Sequence, residues 1–118
     1  MRILVTGSRE WTDWEVLHEV LEAWTRGADS VTIVHGGAPG ADRLAGDYAR
    51  AAGWAEEVHP ADWAQYGKPA GMIRNKAMVD VGADVCIAFF KASAGNRGTR
   101  GCAKMAEEAG IPVRRIEG

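Results

Sequence analysis

Apolar residues along this chain alternate between two patterns. Short aliphatic runs, Ile3-Leu4-Val5, Val31-Thr32-Ile33-Val34 and Val85-Cys86-Ile87-Ala88-Phe89-Phe90, have the unbroken character of strands buried on both faces, as in a parallel sheet covered by helices. Between them, apolar residues recur at spacings of three and four. Trp14, Leu17, Leu21 and Trp24 form one such stripe, and Leu44, Ala45, Tyr48, Ala49 and Ala52 form another, each marking one face of an amphipathic helix. The first helix is expected to open on a capping box, Thr12 to Glu15, and to end near Gly27. The second follows Gly40 and stops at Gly53, before a poorer strand-like segment over 54–59. Pro69 suits the first turn of a third helix carrying Met72, Arg74, Asn75, Lys76 and Met78. Gly98-Thr99-Arg100-Gly101 opens the last long helix, through Cys102, Met105 and Ala106, which Gly110 closes before a final strand over 111–116. Strands alternating with helices predict an α/β fold, a doubly wound parallel sheet of about five strands with helices on both faces, in one domain over residues 1–118.

In such sheets ligands sit beyond the carboxyl ends of the strands, at the point where the strand order reverses. The loops expected there carry the chemistry that rule needs. Thr6-Gly7-Ser8-Arg9 follows the first strand, with a glycine free to turn, a hydroxyl, and a guanidinium fork suited to phosphate or carboxylate. His35-Gly36-Gly37-Ala38-Pro39-Gly40-Ala41-Asp42 follows the second, with bare N–H groups expected at a helix N-terminus, the arrangement of an anion cradle. Asn96-Arg97-Gly98-Thr99 follows the fourth, after a flexible loop over 91–97. Asp42 either stabilises its helix's positive end or reaches a ligand hydroxyl or the loop backbone. Arg74 is placed to meet an anion if its helix faces the glycine loops, and otherwise lies on a solvated face. The stretch over 60–70 has no apolar period but two aromatics, Trp63 and Tyr66, which either stack on a base, close over a site or pack in a subunit interface. His35 and His59 lie nearest the expected site; His18 lies in the first helix.

Composition narrows the function classes. The formal charge of −2 and a pI near 5.9 provide no global basic field for nucleic acid or anionic lipid, though a local basic face remains open. Cys86 and Cys102 lack any metal-ligand spacing and read as reduced cytosolic thiols. No run approaches the length of a membrane span, and the first residues enter a strand directly, so a cytoplasmic protein with no membrane partner is expected. No cofactor or metal is indicated. The five tryptophans are either core or interfacial.

The segments Leu4-Val5-Thr6-Gly7-Ser8-Arg9, His35 to Asp42, Arg74-Asn75-Lys76-Ala77-Met78 and Gly98-Thr99-Arg100-Gly101 resemble, in order and spacing, those of the SLOG superfamily, the group of the DNA-processing (Smf/DprA) proteins and lonely guy enzymes, and within it the YspA-like, YpsA-related branch. The resemblance covers nearly the whole chain. It implies a Rossmann-like fold that binds nucleotides or nucleotide-derived molecules, often as a homo-oligomer. The lonely guy enzymes hydrolyse the N-glycosidic bond of a nucleoside monophosphate with an arginine, which Arg74 matches, and with a glutamate whose position is Cys102 here. Without that carboxylate, charge stabilisation or water activation needs another agent, such as Asp42 or Glu107. The DNA-processing proteins carry Gly-Ser-Arg, Gly-Gly-Ala-x-Gly-x-Asp and Arg-Asn-Arg segments that look like stretches of this chain, and they bind single-stranded DNA, a role for which Arg9, Arg43, Arg74, Lys76, Arg97 and Arg100 would have to form one basic face.

The leading expectation is a domain that binds or senses a nucleotide-derived ligand. Its site residues are Gly7, Ser8, Arg9, His35, Gly36, Gly37, Gly40, Asp42, Arg74, Asn75, Arg97, Gly98, Thr99 and Arg100. Backbone N–H groups of Gly36, Gly37, Gly98 and Thr99 hold phosphate in this reading, with Arg9 and Arg74 pairing its charge. Whether the ligand is turned over stays open, with Arg74 and Asp42 as the candidate catalytic residues. The alternatives are a nucleotide hydrolase, or a single-stranded-DNA-binding or protein-interaction module.

Overall fold

The computed structural model describes residues 1–92 and 94–118; Ser93, within the loop expected over 91–97, lies outside the described residues. The chain runs β1 (Arg2–Gly7), α1 (Trp14–Thr25), β2 (Thr32–His35), α2 (Ala41–Ala52), β3 (Ala55–Val58), α3 (Trp63–Tyr66), α4 (Ala70–Val81), β4 (Val85–Phe90), α5 (Arg97–Glu108) and β5 (Val113–Glu117). The five strands form one parallel sheet in the order β3-β2-β1-β4-β5, so the order reverses between β1 and β4. This is the doubly wound, Rossmann-like α/β fold the alternation predicts.

Strand alternation decides what each face buries. Ile3, Val5, Ile33, Ile87 and Phe89 pack with Leu17 and Leu21 of α1 and with Ala45, Tyr48 and Ala49 of α2. Leu4, Val34 and Cys86 face the other way, onto Met78 and Val79 of α4 and Cys102 and Ala106 of α5. A covered layer on each face explains why β1 and β4 read as continuous apolar runs.

Several local expectations are corrected. Asp13, not Thr12, caps α1: its side chain accepts the Val16 N–H at 3.1 Å. Of the first apolar stripe, Leu17 and Leu21 are buried, whereas Trp14 is 55% exposed and Trp24 is half-buried. The tryptophan that belongs to the core is Trp11, whose ring meets Phe89 edge-on at 5.2 Å and whose Nε1–H donates to the Asp13 carbonyl. The aperiodic 60–70 stretch contains the single-turn α3, with Asp62 accepting the Gln65 N–H at its start and Gly67 at φ 63° at its end. Among the described residues no helix is long and apolar enough to cross a membrane.

Candidate functional site

Three backbone features converge beyond the carboxyl ends of β1 and β4. The first is the turn after β1. A methyl group on Gly7 would lie 2.4 Å from the Ala41 Cβ, so only glycine lets the start of α2 pack against this strand end. The Ser8 N–H donates to the Phe89 carbonyl, and the Ser8 carbonyl accepts from Trp11 and Ala41. Ser8 Oγ accepts the Glu10 N–H at 3.0 Å. Ser8 is thus buried and structural, while Arg9 stands exposed at the rim.

The second feature is the glycine loop after β2, and here the structure departs from the expected anion cradle. Asp42 of α2, 5% exposed, turns its carboxylate back into the loop, where Oδ2 accepts the N–H of Gly36 at 3.1 Å and of Ala38 at 3.4 Å. The Gly37 N–H donates to His35 Nδ1 at 2.9 Å. Gly36 and Gly37 therefore offer no free donors to a phosphate: a carboxylate and an imidazole of the protein occupy the place. That bond makes Nδ1 the acceptor, so the neutral His35 carries its proton on Nε2 and gives it to Glu56 Oε2 at 2.6 Å. The imidazole N–H, with Arg50 behind it, holds the Glu56 carboxyl below its ordinary value. Gly46 makes room for this pair, since a Cβ there would sit 2.2 Å from Glu56 Oε2.

Arg74 seals the loop from the other side. Its Nη1 donates to the carbonyls of Gly36 at 2.6 Å and His59 at 3.3 Å, and its Nε donates to Asn75 Oδ1 at 2.8 Å. Asn75, buried, passes the link to the Gly98 carbonyl. Arg74 and Asn75 thereby tie the ends of β2 and β3 to α4 and α5. Burial pushes the Asp42 carboxyl up, opposed by neighbouring His35, by the Ala38 N–H, by Arg74 and by the Gly36 N–H.

The third feature is the start of α5. Asn96 takes the left-handed conformation, φ 55°, and spends its side chain on the preceding loop: Oδ1 accepts the Lys91 N–H, and Nδ2 donates to the carbonyls of Lys91 and Ala94. The Asn96 side chain does not cap the helix, and the first turn holds no acidic residue. The N–H groups of Gly98 and Thr99 have no hydrogen-bond partner among the described residues. Both residues line a cleft of about 690 Å³.

Of the expected site residues, Gly7, Ser8, Arg9, Asp42, Arg74, Asn75, Arg97, Gly98 and Thr99 line this cleft. His35, Gly36, Gly37 and Gly40 lie behind it, as the scaffold of the β2 loop. Gly40, φ 82°, would drive a Cβ to 2.3 Å from the Ser8 carbonyl. Arg100 lines a different cleft, of about 580 Å³, together with residues of β5. Trp63, one of the two aromatics whose role the sequence leaves open, lines the main cleft, whereas Tyr66 does not. The sequence reading missed Lys68 and Met72 as cleft residues, because neither period nor motif singles them out, and named Asn96 only as part of the loop before α5. Lys76, on the same helix as Arg74, pairs instead with Asp80 on the exposed face and contributes nothing to the cleft.

The carboxylate questions resolve by position. Cys102, where the resemblance implies a catalytic glutamate, is fully buried beneath α5. A neighbouring Cys102 and burial together push the Cys86 thiol up. Glu107, the other suggested replacement, lines the second cleft and pairs with Arg115. Among the described residues the carboxylates lining the main cleft are Glu10 and Asp42.

A doubly wound sheet with a cleft at the strand-order reversal defines a Rossmann-like fold. The profile of the YspA, cpYpsA-related SLOG family matches residues 1–66, and the chain belongs to that family. It is similar to the gene 61 protein of Mycobacterium phage D29, with 45% identity over 121 residues that span 95% of this chain and 93% of the phage protein. Among solved structures, DNA processing protein A from Helicobacter pylori, described for its single-stranded DNA binding mode, superposes with a TM-score of 0.69 at 17% identity. The match covers 98% of this chain and 64% of that one, so this chain spans less than two thirds of its length. The C-terminal domain of the PF1911 hydrogenase from Pyrococcus furiosus superposes with a TM-score of 0.57 at 15% identity, over 98% of this chain and 89% of that one. At these identities both structures show the shared fold.

Proposed function

We propose that the 118 residues act as one domain that binds a nucleotide or nucleotide-derived ligand in the main cleft, with a phosphate on the N-terminus of α5. The observation that carries this reading is the pair of N–H groups at Gly98 and Thr99 that have no partner among the described residues, at the positive end of the helix dipole. Arg9, Lys68 and Arg97 surround that point, and none of the three forms an ion pair among the described residues. Trp63, 50% exposed at the rim, offers an aromatic face for a base. Gly71 leaves room for that ring, since a Cβ there would lie 3.4 Å from Trp63 Cη2. Asp42 and Arg74 act here as positioning residues that shape the floor.

Thermal shift against nucleoside monophosphates, dinucleotides and short oligonucleotides tests the proposal. A ligand at about a hundredfold over its Kd adds on the order of 2.7 kcal/mol to stability. Arg9→Ala and Arg97→Ala are each expected to cut the shift roughly in half, as a tenfold loss of affinity does at that ligand concentration, and to leave the ligand-free melting temperature unchanged. No shift with any compound, or shifts undiminished in both variants, removes the site. The hydrolase alternative predicts release of free base from any compound that binds. It draws no support from the buried Cys102. The single-stranded-DNA alternative draws support from the DNA processing protein A likeness.

A further inference from the structure

The sheet has two free edges, β3 and β5, and their charges are held differently. On β3 both carboxylates are engaged within the chain, Glu56 by His35 and Arg50, and Glu57 by Arg2 and His59. On β5 the backbone itself is open. The Pro112 carbonyl accepts from Cys86, the Gly118 N–H donates to Phe90, and the Gly118 carbonyl accepts from Ala92. Even-numbered residues of the strand therefore turn their backbone groups toward β4, and Val113, Arg115 and Glu117 turn theirs outward. Among the described residues no strand lies on that side.

Side chains alternate along β5 as well. Val113 packs with the α4 and α5 layer and Ile116 with the α1 and α2 layer, so Arg115 and Glu117 lie on the α5 side and Arg114 on the other. On the α5 side, Arg115 and Glu117 line the second cleft with Phe90, Arg100 and Lys104. On the other, the Arg114 guanidinium lies 5.7 Å from the centre of the Trp24 ring. Strand and cleft together carry four cations, Arg100, Lys104, Arg114 and Arg115, against two carboxylates, Glu107 and Glu117. Glu107 pairs with Arg115, whereas Arg100 and Lys104 have no ion-pair partner among the described residues. A chain with a formal charge of −2 thus has a basic free edge.

An uncovered strand edge is a template for another strand, and the charges along it decide which one. A second copy of this chain fits badly. In the antiparallel register that uses all three outward residues, Arg115 meets Arg115 of the other copy, and like charges directly opposite are unfavourable. An acidic segment meets the same cations favourably. We propose that β5 docks an extended acidic segment of a partner protein, which adds to the sheet as a further strand bonded to Val113, Arg115 and Glu117. Arg114, Arg115 and Ile116 are consecutive and face alternate sides, so the pattern selected is two adjacent acidic residues next to an apolar one. One acid faces Arg114; the other faces Arg115 on the side of the second cleft, where Arg100 and Lys104 add their charge. The docking edge does not depend on the nucleotide reading of the main cleft.

The test titrates the protein with fluorescent nonapeptides of Val and Thr in which an adjacent Glu pair is moved one position at a time. The best binder is remade with Lys for Glu, and with N-methyl groups on each alternate set of backbone nitrogens in turn. The Lys peptide and one N-methyl set are expected to lose binding, and the other N-methyl set to keep it. Arg114→Glu/Arg115→Glu should weaken binding about tenfold, since attraction at two cross-strand positions becomes repulsion. The control Arg43→Glu/Lys76→Glu carries the same charge change on α2 and α4 and should bind as the natural chain does. All four positions are exposed, and each melting temperature checks the fold. Glu117→Pro removes an outward N–H, breaks no bond to β4 and deletes a negative charge. Strand addition predicts a loss of about fivefold for this variant, whereas a purely ionic contact tightens. If it melts early, the N-methyl peptides decide. The proposal is overturned if no peptide binds, if both N-methyl sets bind unchanged, if test and control variants lose equally, or if a folded Glu117→Pro binds as well or better. A dimer in sedimentation that Arg114→Glu/Arg115→Glu dissolves gives the edge to a second copy, and an oligothymidine that binds where no peptide does gives it to nucleic acid; either result also overturns it.

Discussion

Two helices of this protein begin in the same way and are put to different uses. Both α2 and α5 follow a strand and a glycine-containing loop, both start without a side-chain cap at the N-cap residue, and both point their positive ends toward the carboxyl edge of the sheet. At α2 the protein supplies its own anion: the Asp42 carboxylate binds the loop N–H groups of Gly36 and Ala38, and Arg74 closes over the Gly36 carbonyl. At α5 the first turn has no acidic residue, the Asn96 side chain is engaged with the preceding loop, and the N–H groups of Gly98 and Thr99 have no partner among the described residues. A glycine-rich strand-to-helix turn is thus filled or left unfilled according to whether a carboxylate from the same chain reaches it.

The largest effect is expected from emptying the filled turn. Asp42→Ala leaves two buried N–H groups without acceptors and removes a charge near Arg74, and should cost about 3 kcal/mol of stability in denaturant melts. Asp42→Asn keeps an acceptor oxygen and should cost clearly less; equal losses would show that the loop does not depend on those bonds. The reciprocal change fills the open turn. Gly98→Asp, at a position where a Cβ meets open space, places a carboxylate at the α5 start. It should weaken nucleotide binding at least about tenfold while leaving stability unchanged or raised by about 0.3–1 kcal/mol. Binding that survives this substitution would move the phosphate elsewhere in the cleft.

Arg97→Ala should weaken binding by about 1.5 kcal/mol, or roughly tenfold, with no change in the melting temperature. Arg74→Ala makes the contrast: because Arg74 joins the carbonyls of Gly36 and His59 to Asn75, its loss should lower the melting temperature as well as the affinity. The smallest effect lies away from both turns. Arg2 and then His59 hold the Glu57 carboxyl down at about 2, against an ordinary 4.5. Because the folded value is the lower one, the stability it contributes is present above about 4.5 and is lost as pH falls toward 2. The group is partly exposed and screened, so the difference between the natural chain and Glu57→Gln should stay within about 1 kcal/mol at neutral pH and vanish near pH 2. A difference that does not change with pH would count against the Arg2–Glu57 pair as its source.

Much of the fold was legible because burial writes itself into strands and helices as period. The aliphatic runs of β1 and β4 and the stripe of α2 announced a covered parallel sheet, and Gly53 marked a helix end that the structure confirms with a left-handed cap. Signals shared by neighbouring residues were not legible. Thr12 and Asp13 can each cap a helix, and the structure selects Asp13. Trp11 and Trp14 are alike in sequence, yet Trp11 packs on Phe89 while Trp14 stays exposed. The cleft residues Gly7, Arg9, Arg97, Gly98 and Thr99 could be named from motif alone, but Lys68 and Met72 reach the cleft only through the path of the chain around α3.

By itself the sequence determined the fold class, the edge of the sheet at which chemistry collects, and most of the residues gathered there, since each follows from local pattern and from the rule that links parallel strands to their loops. Tertiary structure decided which of two similar glycine turns is open. That choice depends on where Asp42, six residues beyond Gly36, and Arg74, on a helix far along the chain, place their charged ends. Hydrogen-bond donors are satisfied by whichever acceptor lies within about 3 Å, and proximity of that kind is a property of the packed molecule rather than of residue order.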